Sequence, residues 1–314
     1  MSNQDHNGRA AEHFRKHRIA QAILSSLLFT PFCLYAETID NNSAAEQDIE
    51  VMEVTAQKRV QNIMKVPLTV DSLSAETIKQ SGSVMLADID KFIPGFDFSD
   101  GDVTQAGVTM RGVSSPNISV GGDPSTALFF DGVYLPRAAQ NVLFSDMQRV
   151  EVLKGPQGTL FGKNAAMGVV NMIPNAPEDD NTGFIKGSFG SDNLQRFEAM
   201  WNIALSDDVF VRFNGLSNTQ DGYINNVAES SLAGNKAADA GEKDHQAIRA
   251  ALKWQLSDST DIQLSYDWDK LEQAPGAAIG LSPYAQNPSD PFANTFANDV
   301  VDGIESRDMT AVTL

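Results

Sequence analysis

The chain has 314 residues, a formal net charge of −18 and a pI near 4.5. This acidic balance argues against nucleic acid or an anionic membrane surface as a partner. One cysteine and four histidines provide no disulfide framework and little material for His/Cys metal sites or histidine-based catalysis, so we predict a non-enzyme with no resident metal or cofactor.

Residues 1–36 have the pattern of a secretory signal peptide. Basic residues 15–18 precede an apolar run from Ile19 to Tyr35, and the small residue Ala36 follows it. A transmembrane anchor is the alternative, and Pro31 and the modest length of the run count against it. Three of the four histidines and the single cysteine, Cys33, fall within this segment, so only His245 lies after it.

Residues 37–60 read as a flexible tether followed by a short strand. Residues 37–47 are polar, small and acidic, which is typical of a disordered linker. The segment DIEVMEVTAQKR then favours extended structure. A β-prone segment behind a tether suits pairing with the sheet edge of another protein, and an edge strand of the next domain is the alternative.

Residues 61–177, here called the plug segment, predict a compact α+β domain. A strand begins at Pro67–Val70, and Ser74 is placed to cap a helix that follows it. A second amphipathic turn, Met85–Ile89, ends before Pro94. Strands are expected within residues 107–112 and 127–134.

Two loops of the plug segment are rich in small and polar residues, residues 114–126 and 137–140. Because ligand-contacting groups concentrate on loops held by a rigid scaffold, these loops supply the candidate substrate contacts. Solvated turns are the alternative for each residue. The candidates are Ser114, Ser115, Asn117 and Arg137.

The stretch Val150–Ile173, VEVLKGPQGTLFGKNAAMGVVNMI, predicts a strand, a tight glycine-rich loop and a second strand. A Walker A phosphate-binding loop is excluded, because Gln157 stands where its first glycine belongs and Asn164 follows Lys163 in place of Ser or Thr. Four charges lie among the strand residues of this domain and should be paired. They are Arg111, Arg149, Glu151 and Lys154.

This stretch resembles the plug domain of TonB-dependent outer-membrane receptors, whose pattern is V-E-V-L-(R/K)-G-P-Q-G-(T/S)-L-(Y/F)-G-x-N-A-x-G-G. Met167 departs from the pattern, replacing a usual glycine. Two further strands resemble the family's R-G and D-G-V-Y motifs. The resemblance implies structural or gating roles for Arg111, Gly112, Asp131, Gly132, Glu151, Lys154, Gly155, Pro156, Gly158, Gly162, Asn164 and Asn171.

The β-prone segment before the plug segment resembles the TonB box of this family. The resemblance implies that TonB, working with ExbB and ExbD of the inner membrane, binds this segment. Its residues are Ile49, Glu50, Val51, Met52, Glu53, Val54, Thr55 and Ala56. It also implies an outer-membrane location with a periplasmic N-terminal segment, and uptake of a small metal chelate. Vitamin and glycan receptors share the same motifs.

Residues 178–314 alternate apolar and polar side chains over long segments. Phe197, Trp201, Ile248, Trp254 and Tyr266 fall on the apolar face, which suits lipid outside and water inside. A soluble β-sandwich also alternates. Tight turns at 206–208 and 257–260 and long polar excursions at 217–243 and 271–305 favour a transmembrane barrel, with the tight turns in the periplasm.

Barrels of this family have about 22 strands, and residues 178–314 hold about six at about ten residues each. The expected architecture is therefore an α+β plug inside an antiparallel transmembrane β-barrel of which this chain carries the first part. An open sheet would expose its edges to lipid. We therefore interpret the chain as the N-terminal portion of a receptor.

Two other functional interpretations remain open from the sequence. One is a non-transporting fragment that acts at most as a TonB-binding plug module. The other is a secreted β-rich hydrolase, which would use carboxylates such as Glu151 and Asp131 and has almost no histidine available. An iron complex such as a ferric siderophore is the first choice of cargo, with cobalamin or glycans as alternatives.

Overall fold

The computed structural model describes residues 53–55, 59, 61–100, 103–115, 122–226, 239–257, 259–274, 295–296 and 305–314. The predicted leader, residues 49–52 and Ala56 of the predicted TonB box, and Asn117 lie outside this range. Residues Val51–Leu314 form one compact unit.

The strands are numbered in chain order within the described residues. They are β1 (Glu53–Val54), β2 (Gln61–Asn62), β3 (Thr69–Ser74), β4 (Phe96–Ser99), β5 (Gly107–Met110), β6 (Val113–Ser114), β7 (Thr126–Phe130), β8 (Val133–Leu135), β9 (Met147–Lys154), β10 (Gly168–Pro174), β11 (Thr182–Phe189), β12 (Gln195–Ala204), β13 (Val209–Gln220), β14 (Asn225–Asn226), β15 (Lys243–Ser257), β16 (Thr260–Gln273), β17 (Thr295–Phe296) and β18 (Glu305–Thr313).

The helices are short and belong to the plug segment. The α-helices are α1 (Ala75–Ser81), α2 (Leu86–Ile89) and α3 (Gly158–Phe161), and the 3-10 helices are Ile63–Lys65, Asp90–Phe92 and Arg137–Ala139. Among the described residues, no helix has the length and apolar character needed to cross a membrane.

The plug segment is built on a five-stranded mixed sheet in the order β3-β9-β10-β7-β8, beside a three-stranded sheet, β4-β5-β6. β7 runs parallel to β10, and the other neighbouring strands are antiparallel. The main core lies between the helices and these sheets. Its fully buried members include Leu86, Ile89, Leu128, Val150, Val152, Val170 and Met172.

The predicted helix after Ser74 is confirmed. The Ser74 hydroxyl accepts a hydrogen bond from the backbone N–H of Thr77 at 3.3 Å, and Gly82 ends α1 in a left-handed conformation with φ of 68°. The preceding strand begins at Thr69 and not at the predicted Pro67, which has no N–H to donate to a sheet.

Replacing Ser74 with alanine is expected to lower the free energy of unfolding of the plug segment by about 1 kcal/mol, because the N–H of Thr77 loses its cap. Ser74→Asp keeps a capping oxygen and is the matched control. Urea denaturation that gave alanine and aspartate variants of equal stability would contradict the assigned cap.

Two predicted motif turns are tight hairpins. Arg111–Gly112 joins β5 to β6 and Asp131–Gly132 joins β7 to β8, and all four residues have positive φ. Two consecutive positive-φ residues are the signature of a type I′ turn, which explains the glycine in each second position. Arg111 is exposed in its turn, so water solvates its charge and the pairing expected for a charge among strand residues is not required there.

The two strands predicted for Val150–Ile173 are confirmed as β9 and β10, with α3 in the loop between them. Gly168 is required by close packing, since a Cβ atom there would lie 2.5 Å from the carbonyl oxygen of Leu153. Its neighbour Met167, the departure from the family pattern, donates its backbone N–H to Ser125 O at 2.8 Å.

The second sheet, here called the wall sheet, is a six-stranded antiparallel meander in the order β11-β12-β13-β15-β16-β18. β13 begins five residues after β12 ends, and β16 begins at Thr260, three residues after β15 ends at Ser257. The two long connections share one end of the sheet, because β14 in the first pairs with β17 in the second. The predicted parity of short and long connections is confirmed, although β13 continues to Gln220, further than expected.

The two faces of the wall sheet have a polarity opposite to that of a soluble sandwich. Trp201 is 66% exposed and Ile248 52% exposed on the outer face. The face toward the plug segment buries polar and charged side chains, namely Asn202, Arg212, Asn218, His245, Arg249, Ser265, Asp269 and Arg307. The soluble-sandwich alternative is therefore wrong. Buried charges require partners, and the plug segment supplies them to Arg212, Arg249 and Arg307.

Candidate functional site

The predicted TonB box meets the predicted plug motif at the carboxylate of Glu151. The backbone N–H of Thr55 donates to Glu151 Oε1 at 2.7 Å, and the Thr55 hydroxyl lies 3.1 and 3.2 Å from the two carboxylate oxygens. Glu151 is fully buried on β9. A buried carboxylate needs donors, and Thr55 supplies two of them across 96 positions of sequence.

Arg149 and Asn171 complete this contact, here called the Thr55 hook. Arg149 Nε donates to Glu151 Oε1 at 2.7 Å, and its Nη2 lies 3.4 Å from the Thr55 hydroxyl oxygen. Asn171, which faces Glu151 across β9 and β10, donates to the same hydroxyl at 3.3 Å. Residues 149 and 151 share a face of β9 because strand side chains alternate. Arg149 was not among the predicted motif residues, and its spacing of two from Glu151 is the sequence signal that could have added it.

The residue before the hook is anchored by burial. Val54 is fully buried in a cluster with Val66, Ala127, Leu153 and Val169. Glu53 and Val54 also pair with Asn62 and Gln61 as an antiparallel two-stranded sheet. The described part of the box is thus docked onto the plug segment by apolar packing, strand pairing and the buried carboxylate together.

Lys154, at the end of β9, joins separate parts of the plug segment. Its Nζ lies 2.5 Å from Asp71 Oδ2 and donates to the carbonyl oxygen of Pro94 at 2.5 Å. Lys154 is buried, so both contacts compensate its desolvation. Two of the three other embedded charges, Arg149 and Glu151, are paired as predicted.

The glycine-rich loop after β9 is closed by backbone hydrogen bonds. Gly155 has φ of 110° and donates to Met167 O, and Gly162 ends α3 with φ of 85°. Pro156 precedes α3, which begins at Gly158. Asn164 donates to the Tyr134 hydroxyl at 2.7 Å, which ties the loop to β8.

The same loop carries an exposed ion pair. Lys163 Nζ lies 2.5 Å from Asp123 Oδ2, and Asn164 lies 3.4 Å from Asp123 Oδ1. The hydrogen bond from Lys163 lowers the pKa of Asp123, and the same contact raises the pKa of Lys163. Because the pair is solvent-exposed, it positions the loop weakly.

Three of the candidate substrate contacts, Ser114, Ser115 and Arg137, lie in the part of the chain that the structure describes. Ser114 is exposed at the end of β6, and the hydroxyl of Ser115 donates to Asp123 O at 3.1 Å. Arg137 donates to the carbonyl oxygens of Ser115 and Ala106 at 3.1 and 3.4 Å. Its guanidinium therefore holds the loop backbone, and a direct contact from Arg137 to cargo stays a prediction.

The plug segment is joined to the wall sheet by two arginine–aspartate contacts that sequence reasoning did not identify. Arg212 of β13 contacts Asp146 through Nε at 2.5 Å and Nη2 at 2.7 Å. Arg249 of β15 contacts Asp131 through Nη2 and Asp267 through Nη1 at 2.7 and 2.8 Å. The motif residue Asp131 is therefore an anchor point on the wall.

These contacts leave no catalytic pair at the two carboxylates considered for hydrolysis. Glu151 is occupied by Thr55 and Arg149, and Asp131 is occupied by Arg249. Within the described residues, no group of three or more His, Cys, Asp or Glu side chains is arranged to hold a metal ion.

Residues 62–169 match the family described as TonB-dependent Receptor Plug Domain. The chain carries a TonB-dependent receptor plug domain. The chain is 30% identical over 214 residues to the pesticin receptor of Yersinia enterocolitica, and this alignment covers 65% of the chain and 31% of the receptor. It is 29% identical over 179 residues to the vitamin B12 transporter BtuB of Vibrio vulnificus, covering 54% of this chain and 27% of BtuB.

The fold agrees with solved receptors of this family. The crystal structure of the ferric yersiniabactin uptake receptor FyuA from Yersinia pestis superposes with a TM-score of 0.64 at 22% identity, covering 78% of this chain and 37% of FyuA. The predicted fold class, an α+β plug with an antiparallel barrel sheet, is confirmed, and the sheet is a partial barrel. The chain spans about a third of the length of the curated relatives it matches. These relatives are receptors and transporters, which agrees with the non-enzyme prediction.

Proposed function

We propose that this chain acts within an outer-membrane receptor that imports an iron complex, a ferric siderophore in the first instance, with energy delivered by TonB. The Thr55 hook is the observation that carries the proposal. It places a short β-prone segment, separated from the predicted leader by a polar tether, on the carboxylate of the plug motif. Such a segment is suited to strand addition to a partner sheet.

The geometry implies an order of events during capture. β1 already pairs with β2, Val54 is buried, and the N–H of Thr55 is bonded to Glu151. TonB therefore gains the main-chain hydrogen bond of Thr55 only after the bond from its N–H to Glu151 is released. Energy transmitted by TonB and its inner-membrane partners ExbB and ExbD then moves the plug and opens a path for cargo. The exposed aromatic outer face of the wall sheet lies against membrane lipid.

The cargo class is supported by the relatives and not by a cargo site on this chain. FyuA is described as a ferric yersiniabactin uptake receptor, and BtuB as a vitamin B12 transporter. Iron complexes are our first choice, and cobalamin is the alternative to be tested. Contacts from Ser114, Ser115, Asn117 and Arg137 to cargo belong to this proposal.

Uptake of labelled iron complexes and of labelled cobalamin, measured side by side with the complete receptor gene in a strain lacking its own receptors, tests the proposal. We expect iron uptake that a protonophore abolishes. Val54→Pro removes a strand N–H and is expected to abolish uptake while leaving surface binding of cargo intact; Lys65→Ala, at the end of the exposed 3-10 turn, is the control. Uptake of cobalamin alone would overturn the iron assignment, and full uptake by the proline variant would overturn the role of the box.

A further inference from the structure

The wall sheet also holds the loop between β8 and β9, through contacts that differ from the arginine–aspartate pairs. Val142 and Phe144 of this loop point into the core of the plug segment. Leu143, between them, belongs to a second apolar cluster in which Val84 and Met85 of the plug segment meet Leu216 and Ala247 of the wall sheet. The loop therefore presents one apolar side chain to the wall, between two residues committed to the plug core.

Polar groups of the wall bind the backbone on both sides of that contact. The N–H of Leu143 donates to Asp269 Oδ2 on β16 at 3.1 Å. Arg307 of β18 donates through Nη2 to the carbonyl oxygen of Asn141 at 2.6 Å, and the same Nη2 contacts Asp269 Oδ1. Asp269 and Arg307 are thus paired with each other, and each also binds the loop backbone: Asp269 accepts from the N–H of Leu143, and Arg307 donates to the carbonyl oxygen of Asn141.

His245 of β15 touches this pair from the side opposite Arg307. Its Nε2 lies 2.9 Å from Asp269 Oδ2, the oxygen that also accepts from Leu143. Because an ionised carboxylate only accepts hydrogen bonds, Nε2 carries the proton. The ring is fully buried, and its Nδ1 has no hydrogen-bond partner among the described residues. The one polar contact of this ring is the one that fixes the orientation of Asp269.

We propose that His245, Asp269 and Arg307 form a wall latch that holds plug residues 141–143, with His245 as its positioning residue. The latch grips backbone atoms, so its strength depends on the orientation of Asp269 and not on the side chains of the loop. His245 and the N–H of Leu143 share one oxygen of Asp269 and Arg307 holds the other, so without the donor at position 245 the bond from Leu143 is the only one left on Oδ2 among the described residues. Its role in import rests on the proposed function, since plug movement along this side of the wall requires the latch to open.

Spin labels at two exposed positions, Ala138 on the loop and Ser306 on β18, report the latch in the membrane-embedded receptor without TonB or cargo. Both sites are changed to cysteine in a receptor from which every native cysteine has been removed; within these 314 residues that requires only Cys33→Ser. The unmodified latch is expected to give one narrow distance distribution. His245→Phe keeps a ring without a donor, and is expected to add a second, longer population. His245→Gln restores a donor and is expected to restore the narrow distribution.

A second label pair separates a local latch from general destabilisation. Gln148 and Asp207 are both exposed; Gln148 lies on β9 two residues from Asp146, and Asp207 lies in the turn before β13, the strand that carries Arg212. Because neither position touches the latch, their distance should be the same in all three proteins. A narrow Ala138–Ser306 distribution in His245→Phe would overturn the latch, as would equal broadening of both label pairs or failure of His245→Gln to restore order. These distances do not depend on transport, so a receptor that fails to import iron overturns the proposed function and leaves the latch to be judged by its own measurement.

Discussion

Replacing Glu151 with alanine is expected to accelerate hydrogen exchange at the backbone amide of Thr55 about 10- to 150-fold. That amide donates to the buried Glu151 carboxylate at 2.7 Å. A hydrogen bond to a charged group contributes about 1.5–3 kcal/mol, and every 1.4 kcal/mol is a factor of about ten in an opening equilibrium. Loss of the carboxylate also leaves Arg149 without its ion-pair partner, so the docked state of the box has fewer compensated polar groups.

Asp88→Ala is the matched control for this exchange experiment. Asp88 is another plug carboxylate that accepts from backbone amides, those of Val84 and Met85, at 2.9 and 3.1 Å. Its removal is expected to speed exchange at those two amides and to leave Thr55 unchanged. If Glu151→Ala leaves exchange at Thr55 at the wild-type rate, the carboxylate does not hold the box, and burial of Val54 together with the pairing of β1 and β2 must account for docking.

If TonB captures the box as proposed, the hydrogen bond from Thr55 to Glu151 in the Thr55 hook must first break. Docking satisfies the buried carboxylate of Glu151 by using the N–H of the residue that TonB is proposed to capture. Capture therefore exchanges an intramolecular hydrogen bond for an intermolecular one, and Glu151 must then be satisfied by Arg149 and by water. A receptor with a weaker hook would present its box more often in the absence of cargo.

Local sequence signals predicted the local structure well. Ser74 capped the helix as expected, because a capping hydroxyl acts within three residues of its own position. The glycines at 155 and 162 and the Asp-Gly turn marked positive φ, a property of the residue itself. The alternation in β12, β15 and β16 gave the two faces of the wall sheet, since side chains of a strand point to opposite sides in turn.

Contacts between distant parts of the chain were not accessible in the same way. Thr55 and Glu151 were both singled out, yet nothing in the spacing of residues 96 positions apart indicates that they touch. The pairing of Arg212 with Asp146 likewise depends on how the plug segment lies against the wall sheet. Arg111 was expected to need a partner because it follows a strand, and the two-residue hairpin turns it to solvent.

The wall sheet has a buried polar face, so its stability is coupled to the plug segment. Arg212, Arg249 and Arg307 come from three different strands, and each bonds an acceptor on the plug segment. Removing an acceptor leaves a buried guanidinium uncompensated, which costs more than the net value of the pair. The position of the plug segment against the wall sheet is therefore fixed by these arginine contacts as well as by apolar packing.

Arg249→Met is accordingly expected to lower the free energy holding the plug segment to the wall sheet by about 3 kcal/mol, the lower end of the range for breaking a buried pair. The lower end applies because Asp131 keeps 26% side-chain exposure while Arg249 keeps 9%. The variant leaves Asp131 and Asp267 facing each other without the shared cation, and it removes the stacking of the guanidinium over Phe130 at 5.6 Å. Urea titration of the membrane-embedded receptor, followed by hydrogen exchange of β7 and β10, measures the loss.

A double-mutant cycle with Asp131→Asn distinguishes this pair from a general effect of removing a charge. Asparagine tolerates the left-handed conformation of position 131, where φ is 49°, so the turn itself should survive. The combined variant is expected to be less destabilised than the sum of the two single variants, because Arg249→Met leaves the Asp131 carboxylate without its cation and Asp131→Asn removes that charge. Lys253→Met, on the same face of β15, is the control and should cost much less. Additive losses in the cycle would show that Arg249 stabilises the interface without depending on Asp131, and the motif aspartate would then lose its assigned role as an anchor on the wall.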